Sequence, residues 1–405
     1  MKPMGPIPPD FIGESGALLI GGRPAEALVA ETADTPLFVY DFAVVAARIA
    51  RFRAAFPGIA LHYAMKANPF APLVARIAPL VDGIDIASAG EARIAIAAGM
   101  PAACLSFAGP GKRDEELEFA LLHGATLNLE SEGEAARALA IAARLGVTPR
   151  LAVRVNPDFE LRGSGMRMGG GARPFGVDAA RVPALVRRIV AAGAEFRGFH
   201  IFAGSQSLDA EAIIEAQAAT VALAARLAEE AGARPPRLNL GGGFGIPYFA
   251  GDEALDVGRI GAALTGAARP EVLAETEYCL ELGRWLVGEC GVYLTRVVDR
   301  KESGGQVFLI VDGGLHHQLA ASGNFGTVVR RNYPLAVAGR FGAEAEETVS
   351  VCGCLCTPLD LLGNQVALPR AEAGDLIAIF LAGAYGATAS PAAFLGHPPA
   401  GEVVV

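Results

Sequence analysis

The sequence predicts an α/β protein, a (β/α)8 TIM barrel followed by a mainly antiparallel β domain. From about residue 36, short apolar runs alternate with longer Ala-rich segments whose apolar residues recur every three or four positions. After about residue 285 this helical periodicity gives way to short apolar runs separated by Gly, Pro and Asn, as in antiparallel strands. The predicted barrel covers residues 36–284, and residues 1–35 join residues 285–405 in the β domain.

Eight apolar segments are the predicted barrel strands: 60–65, 83–87, 104–108, 126–129, 150–155, 196–202, 237–240 and 278–282. Helices are predicted between them over 89–98, 114–122, 132–145, 179–192 and 211–231. Eight repeats within about 240 residues favour a closed barrel over a doubly wound open sheet. The β domain is predicted to contain strands 291–298, 306–311, 347–351 and 376–380.

Composition excludes several classes of protein. The 405 residues are 52% hydrophobic and 19% charged, which is typical of a chain with a large buried core. A net charge of −9 without a basic stripe argues against nucleic-acid binding. Charges interrupt every apolar run before the roughly 18 residues that a membrane span needs, and residues 1–15 lack a signal-peptide core. Six cysteines in apolar segments indicate buried, reduced thiols, so we expect a cytoplasmic protein.

The carboxyl ends of barrel strands are where function is located in this fold. The first predicted strand ends at Lys66, where desolvation would lower the pKa of the amine and allow a Schiff base. Alternatively, Lys66 only extends its ammonium group to water. The seventh strand runs into Gly241, Gly242 and Gly243, which form either a tight turn or a cradle of backbone N–H groups for phosphate. A lysine and a phosphate cradle together indicate pyridoxal 5′-phosphate (PLP).

Three further strand-end residues fit a PLP site. A carboxylate such as Glu281, placed beside the ring nitrogen, keeps that nitrogen protonated and the cofactor an effective electron sink. His200 offers a flat ring to stack on the cofactor, or else is a hydrogen-bonded core histidine. Arg284 binds phosphate, or else forms an interdomain salt bridge.

Several motifs extend this pattern along nearly the whole chain. They are Tyr63-Ala64-Met65-Lys66-Ala67-Asn68, residues 198–206, the glycine run, Glu281-Leu282-Gly283-Arg284, Cys356 with Asp360, and Ala384-Tyr385-Gly386. In these motifs the chain resembles the fold-type III PLP-dependent decarboxylases, the diaminopimelate/ornithine decarboxylase family. Leu282 stands where that family usually has proline.

The resemblance implies an amino-acid α-decarboxylase and a role for each matching residue. It implies that Lys66 forms the Schiff base, His200 stacks on the ring and Glu281 faces the ring nitrogen, with Asp85 near the lysine and ring. Ser205, Gly241 to Gly243, Arg284 and Tyr385 are implied at the phosphate. The resemblance further implies a homodimer with shared active sites, in which Cys356 reaches the partner's site and donates a proton.

The residue after Cys356 carries information about the substrate. Diaminopimelate and ornithine decarboxylases usually have an acid there, which helps to bind a distal amine, whereas this chain has Thr357. The tract Cys356-Thr357-Pro358-Leu359-Asp360, with residues 165–171 and 312–317, resembles a branch of decarboxylases acting on carrier-protein-linked glutamyl groups and of exosortase-associated relatives. We therefore expect a carrier-protein-bound or non-diamino substrate, with an acyl carrier protein as partner.

Other functions stay open at this point. The alternative is meso-diaminopimelate decarboxylation to L-lysine, with Asp360 replacing the missing acid. An alanine-racemase-like isomerase shares the architecture, but those enzymes place an arginine at the ring nitrogen, where this chain has Glu281. A non-catalytic regulatory homologue is opposed by the presence of Lys66 and Cys356.

We expect no metal site. Cys352, Cys354 and Cys356 alternate and would share one face of a strand, but zinc ligands are usually spaced more widely. His316 and His317 would point in opposite directions if both lie on a strand. Residues 169–171 form either a mobile lid or a turn.

Overall fold

The computed structural model describes residues 1–32, 34–159, 171–323 and 330–405, together with the backbone of residues 166–167. Most of the segment 165–171, including Gly169 and Gly170, lies outside the described residues. The chain divides into two compact units. The barrel unit comprises Arg48–Ile246 and Ala254–Gly283, and the β unit comprises Met1–Ala47, Pro247–Glu253 and Arg284–Val405.

Eight parallel strands close into a barrel, as the sequence predicts. They are Ala60–Ala64, Gly83–Ile86, Leu105–Phe107, Thr126–Leu129, Arg150–Asn156, Glu195–Ile201, Arg237–Asn239 and Glu277–Leu282. The eighth strand pairs with the first, with Glu281 opposite His62, which closes the sheet. No strand end differs from its predicted position by more than one residue, because buried parallel strands are short apolar runs bounded by turn residues.

The barrel helices follow the predicted pattern. The longer helices are Phe42–Ala55, Ala71–Ile77, Ala89–Ala97, Asp114–His123, Glu132–Leu145, Val182–Ala191, Ala210–Ala231 and Val257–Gly266. Side chains of Ser88, Ser131 and Asp209 cap three of them at the N-terminus by accepting backbone N–H bonds. The helix predicted from residue 179 begins with a 3-10 turn, and the α-helix starts at Val182, because Pro183 is tolerated only in the first turn.

The β unit is a mainly antiparallel sheet, which confirms the predicted architecture. Its strands are Leu37–Tyr40, Gly291–Ser303, Gln306–Val311, Leu335–Val337, Glu347–Cys352, Leu361–Leu368, Leu376–Phe380 and Gly401–Val404. Among the described strands of this sheet, two pairings are parallel, Gln306–Val311 with Glu347–Cys352 and Gly401–Val404 with Leu37–Tyr40. A small separate sheet contains Ile12–Glu14, Ala17–Ile20 and Arg23–Pro24, and the helices are Ala25–Thr32 and Arg284–Val287.

Two features of the β unit differ from the sequence prediction. Residues 36–47 lie in the β unit and not in the barrel, because Leu37–Tyr40 pairs with Gly291–Ser303. The strand predicted to end at residue 298 continues to Ser303, although its charged second half does not look like a strand. It is held there by a hairpin whose two-residue loop, Gly304 and Gly305, has φ of 57° and 73°, which glycine adopts without strain.

The cysteines are less uniform than predicted. All six are free, but only Cys279 and Cys290 are buried, and Cys356 is exposed. The prediction that Cys352, Cys354 and Cys356 share a strand face is wrong, because the strand ends at Cys352 and the chain then turns. None of the helices in the described part of the chain is both long and apolar enough to span a membrane.

Gly198 provides a test of the barrel packing. Its φ is 101°, and a Cβ there would lie 1.8 Å from the carbonyl oxygen of Arg237 on the neighbouring strand. We expect Gly198→Ala to lower the free energy of unfolding by roughly 2–4 kcal/mol, because backbone of a barrel strand must move. Thermal unfolding with Gly133→Ala as control measures this, since a Cβ at Gly133 meets nothing nearer than 3.8 Å. Equal stability of the two variants would contradict the packing described here.

Candidate active site

Lys66 lies directly beyond the first barrel strand. It is the middle residue of a single 3-10 turn, Met65–Ala67, whose flanking side chains are buried. The Lys66 side chain itself is exposed, so the predicted desolvated position is wrong. Its Nζ lies 5.2 Å from the ring centroid of Phe202, which follows the sixth strand. The turn therefore directs a free amine outward at the carboxyl end of the barrel.

Glu281 and His200 form a buried pair on the eighth and sixth strands. The Nε2 atom of His200 lies 3.0 Å from Oε2 of Glu281, and the two residues are 2% and 6% exposed. Asn239, on the strand between them, donates its Nδ2–H to the same carboxylate oxygen over 3.2 Å. The sequence analysis missed Asn239, a polar residue between Leu238 and Leu240 on a barrel strand.

The surroundings of Glu281 keep it ionised. Burial alone would raise the pKa of this carboxyl group, but His200, Lys66 and Arg154 outweigh it and lower the pKa to about 2. The carboxylate is therefore negatively charged at any physiological pH. A buried fixed negative charge is suited to hold a cationic ring N–H.

The glycine run lies against the eighth strand. Gly241 has a φ of 71°, and a Cβ on Gly242 would lie 1.9 Å from the carbonyl oxygen of Glu281. Asn239 accepts the Gly241 N–H over 2.8 Å, and Gly243 accepts the N–H of Ser207 over 2.9 Å. These contacts tie the run to the loop that carries Ser205, so glycine is required for this close backbone packing.

Asp85 has a partner that the sequence analysis did not select. Its Oδ2 lies 3.1 Å from Nδ1 of His62, and its Oδ1 is buried with no hydrogen-bond partner among the described residues. Arg237 lies on the other side of the imidazole, with Nη1 3.4 Å from Nε2 of His62. The structure therefore joins Asp85 to His62 within the barrel, and its predicted role beside Lys66 stays a prediction.

A second network of buried charges joins the carboxyl ends of the fourth and fifth barrel strands. Glu130 pairs with Arg154 over 2.7 Å and accepts the N–H groups of Gly109 and Gly176. Burial raises the pKa of Glu130, but Arg154 and Lys112 lower it below its usual range. These charges are fully partnered, which indicates that they fix loop positions at the barrel mouth.

Arg284 and Tyr385 come together within the β unit. The guanidinium carbon of Arg284 lies 4.7 Å from the Tyr385 ring centroid, and Nη1 donates to the hydroxyl of Tyr248 over 2.8 Å. Tyr385 has a φ of 60°, a conformation that costs energy in any residue other than glycine. The Nε of Arg284 is buried and has no hydrogen-bond partner among the described residues, so Arg284 retains a donor. Tyr248 was missed because one tyrosine in a Pro- and Gly-rich loop carries no pattern.

Cys356, Thr357 and Asp360 belong to one compact loop of the β unit. Cys356 is exposed, whereas Asp360 is 3% exposed. The Asp360 carboxylate accepts the N–H of Leu315 over 2.6 Å and the N–H of Leu355 over 2.9 Å. It fits only because residues 314 and 353 are glycine, where a Cβ would lie 2.4 and 2.1 Å from its Oδ2. Asp360 thus holds the loop that presents Cys356.

Comparison with known proteins identifies the family. A model of the pyridoxal-binding domain of pyridoxal-dependent decarboxylases matches residues 42–288. The chain belongs to the pyridoxal-dependent decarboxylases. It is therefore a PLP-dependent carboxy-lyase, and the predicted fold-type III resemblance is confirmed.

Relatives of this decarboxylase differ in substrate. An L-glutamyl-[BtrI acyl-carrier protein] decarboxylase from Niallia circulans is 37% identical over 380 residues, covering 92% of this chain and 89% of the relative. A diaminopimelate decarboxylase from Methanothermobacter thermautotrophicus is 33% identical over 412 residues, covering 98% and 92%. The crystal structure of Helicobacter pylori diaminopimelate decarboxylase complexed with L-lysine matches with a TM-score of 0.82 at 28% identity, covering 94% of both chains.

The residues of the decarboxylase fit PLP. The cradle without side chains at Gly241 to Gly243, the buried His200 ring, whose Nδ1 has no hydrogen-bond partner in the described part of the chain, and the ionised Glu281 each supply what the cofactor requires. Lys66 supplies the free amine. When bound, PLP provides an electron sink for the pair released from the α-carbon.

Glu281→Gln tests the electrostatic role of this carboxylate. We expect the variant to lose on the order of 100-fold in kcat, because it removes the charge that favours a protonated ring nitrogen. Because the Glu281 pKa lies near 2, wild-type kcat is not expected to fall through this group between pH 8 and about 5. Kinetics with Glu277→Gln as control check both points, since Glu277 lies on the same strand but is exposed. Equal kcat values for Glu281→Gln and the wild type would contradict the assignment.

Proposed function

We propose that this decarboxylase removes the α-carboxylate of a glutamyl group held by an acyl carrier protein. The observation that carries the proposal is Thr357, which follows Cys356 where relatives acting on diamino acids usually have an acid. A neutral side chain there leaves the distal ammonium group of a diamino substrate without a counter-charge. Burying an unpaired cation costs binding free energy. The relative at 37% identity, named for a carrier-linked glutamyl substrate, supports the same choice.

The contacts of Asp360 weaken the case for a substitute acid. Both of its oxygens accept backbone N–H bonds, and it is wedged between Gly314 and Gly353. Freeing it to bind a substrate amine would leave the N–H groups of Leu315 and Leu355 unpaired in a buried loop, at about 1–3 kcal/mol each. In our proposal, therefore, Asp360 supports the loop and Thr357 faces an uncharged part of the substrate.

In this proposal the other residues have the roles that the family resemblance implies. Lys66 would hold PLP covalently, His200 would stack on its ring, and Glu281 would keep the ring nitrogen protonated. Gly241 to Gly243, Ser205, Arg284 and Tyr385 bind the phosphate. The bond from the α-carbon to the carboxylate breaks and CO2 leaves, after which the partner subunit's Cys356 donates its Sγ proton to the α-carbon.

Meso-diaminopimelate decarboxylation to L-lysine is the second candidate. The relative covering 98% of this chain at 33% identity supports it. In that case the distal amine would be bound by a group other than Thr357 and Asp360. The two candidates share every cofactor-binding residue and differ only in substrate.

A substrate panel separates the two candidates. We would measure CO2 release from the PLP-loaded protein with meso-diaminopimelate, L-ornithine, L-lysine, free L-glutamate and a glutamyl-loaded acyl carrier protein. Turnover of the carrier-bound substrate is expected to exceed that of diaminopimelate by at least about 100-fold, because a distal cation has no counter-charge. Thr357→Ser should retain this preference, whereas Thr357→Glu should reduce it. Turnover of diaminopimelate alone would refute the proposal.

The shared site can be tested by mixing inactive subunits. Lys66→Ala and Cys356→Ala homodimers are each expected to be nearly inactive. Mixing them under conditions that exchange subunits should restore up to about a quarter of wild-type activity, because half of the chains form heterodimers and each heterodimer has one intact site. Lys66→Ala mixed with Cys352→Ala is the matched control, because exchange should leave its total activity unchanged, and native mass spectrometry of each mixture establishes that subunits exchange. No restoration despite proven exchange would refute a site shared across the dimer.

A further inference from the structure

Three side chains from distant parts of the β unit meet in one cluster. The ligand atoms of His316, Cys354 and His397 all lie within 4.8 Å of one another. The Sγ atom of Cys354 is 3.9 Å from either ring nitrogen of His397, and the rings of His316 and His397 have centroids 5.2 Å apart. Around tetrahedral zinc, Zn–S is ~2.3 Å and Zn–N ~2.0–2.1 Å, so that neighbouring S and N ligands are about 3.6 Å apart. The separation of 3.9 Å between Cys354 and His397 is close to that value.

The ring nitrogens of His316 are buried and have no hydrogen-bond partner among the described residues. The His316 side chain as a whole is fully buried. Its neighbour His317 is different, since Nδ1 lies 3.1 Å from the Tyr293 hydroxyl and Nε2 lies 2.9 Å from the carbonyl oxygen of Pro398. Buried polar groups are almost always satisfied, so two unpaired ring nitrogens beside a thiol and a second imidazole point to a missing ligand.

Hydrogen bonds around the cluster hold its three chain segments in place. Asp360 accepts N–H bonds from Leu315 and Leu355, the residues next to His316 and Cys354. The N–H of Cys354 donates to the carbonyl oxygen of Gly313 over 3.2 Å. The His317 contact with Pro398 holds the segment next to His397. Outer contacts of this kind orient ligands before a metal binds.

We propose that His316, Cys354 and His397 bind one zinc ion, with a water molecule as the fourth ligand. Two imidazoles and one thiolate suit a borderline-soft divalent metal, whereas Ca²⁺ and Mg²⁺ require oxygen ligands. On binding, the Cys354 thiol loses its proton to solvent and a Zn–S bond forms, so no oxidant or reductant is involved. The site does not depend on the proposed substrate.

The expectation that the chain contains no metal site rested on local spacing. Zinc motifs usually contain pairs of ligands with about two to five residues between them, wider than the alternating cysteines, whereas here each ligand comes from a separate segment. His316 and His317 lie in a turn and not on a strand, with ring centroids 3.7 Å apart, so the argument from opposite strand faces does not apply. Zinc would tie the loop carrying Cys356 to two other segments of the β unit.

Metal content and spectroscopy test the proposal on the PLP-loaded protein. After removal of loosely bound metal by dialysis, we expect one zinc per chain by elemental mass spectrometry. Titration against a chromophoric chelator should show that Cys354→Ser and His397→Gln each weaken zinc binding by more than the roughly 10–100-fold that loss of an outer-sphere partner costs. Cys352→Ser is the matched control, because Cys352 is also half-buried and lies outside the cluster.

Cobalt substitution gives a spectroscopic readout of the thiolate ligand. Co²⁺ in the wild-type protein should show a thiolate-to-cobalt charge-transfer band and tetrahedral d–d bands, and only Cys354→Ser should lose the former. Thermal unfolding and the PLP absorbance of each variant establish that it is folded. Wild-type protein without tightly bound zinc, or equal zinc affinity in Cys354→Ser and Cys352→Ser, would overturn the proposal.

Discussion

The buried carboxylate of Glu281 constrains much of the barrel around it. An ion removed from water is stable only if neighbouring groups replace its hydration, and His200 and Asn239 do so from the sixth and seventh strands. Asn239 also accepts the N–H of Gly241, so the group that solvates the charge also fixes the glycine run. The position of the glycine run and the charge of Glu281 therefore depend on the same three strands.

The parallel strands could be predicted from the sequence almost to the residue, because each is a short apolar run between turn residues. Lys66, His200, Glu281 and the glycine run were found because each stands where such a run ends. The structure brings His200 and Glu281 together, with the glycine run against the same strand. Their contacts with the cofactor stay predictions, as do the phosphate-binding roles of Arg284 and Tyr385.

Residues whose importance lies in their partners were missed. His62, Asn239 and Tyr248 act through contacts with Asp85, Glu281 and Arg284, which lie far away in sequence. No periodicity records such pairings, because they depend on which strands become neighbours. For the same reason, the half-buried Cys354 and His397 looked unremarkable until the fold placed them beside His316. Strand 299–303 was missed for a local reason, since its charged residues do not resemble a strand.

The parallel pairing of Leu37–Tyr40 with Gly401–Val404 has a consequence for folding during synthesis. The ribosome makes all eight barrel strands before the long strand Gly291–Ser303, against which Leu37–Tyr40 must pair. The strand Leu37–Tyr40 therefore has no pairing partner on either edge while more than half of the chain is translated. Unpaired apolar strand edges are sites of aggregation. During synthesis this apolar strand is therefore an exposed edge at which nascent chains can associate, until the C-terminal strands that pair with it have been made.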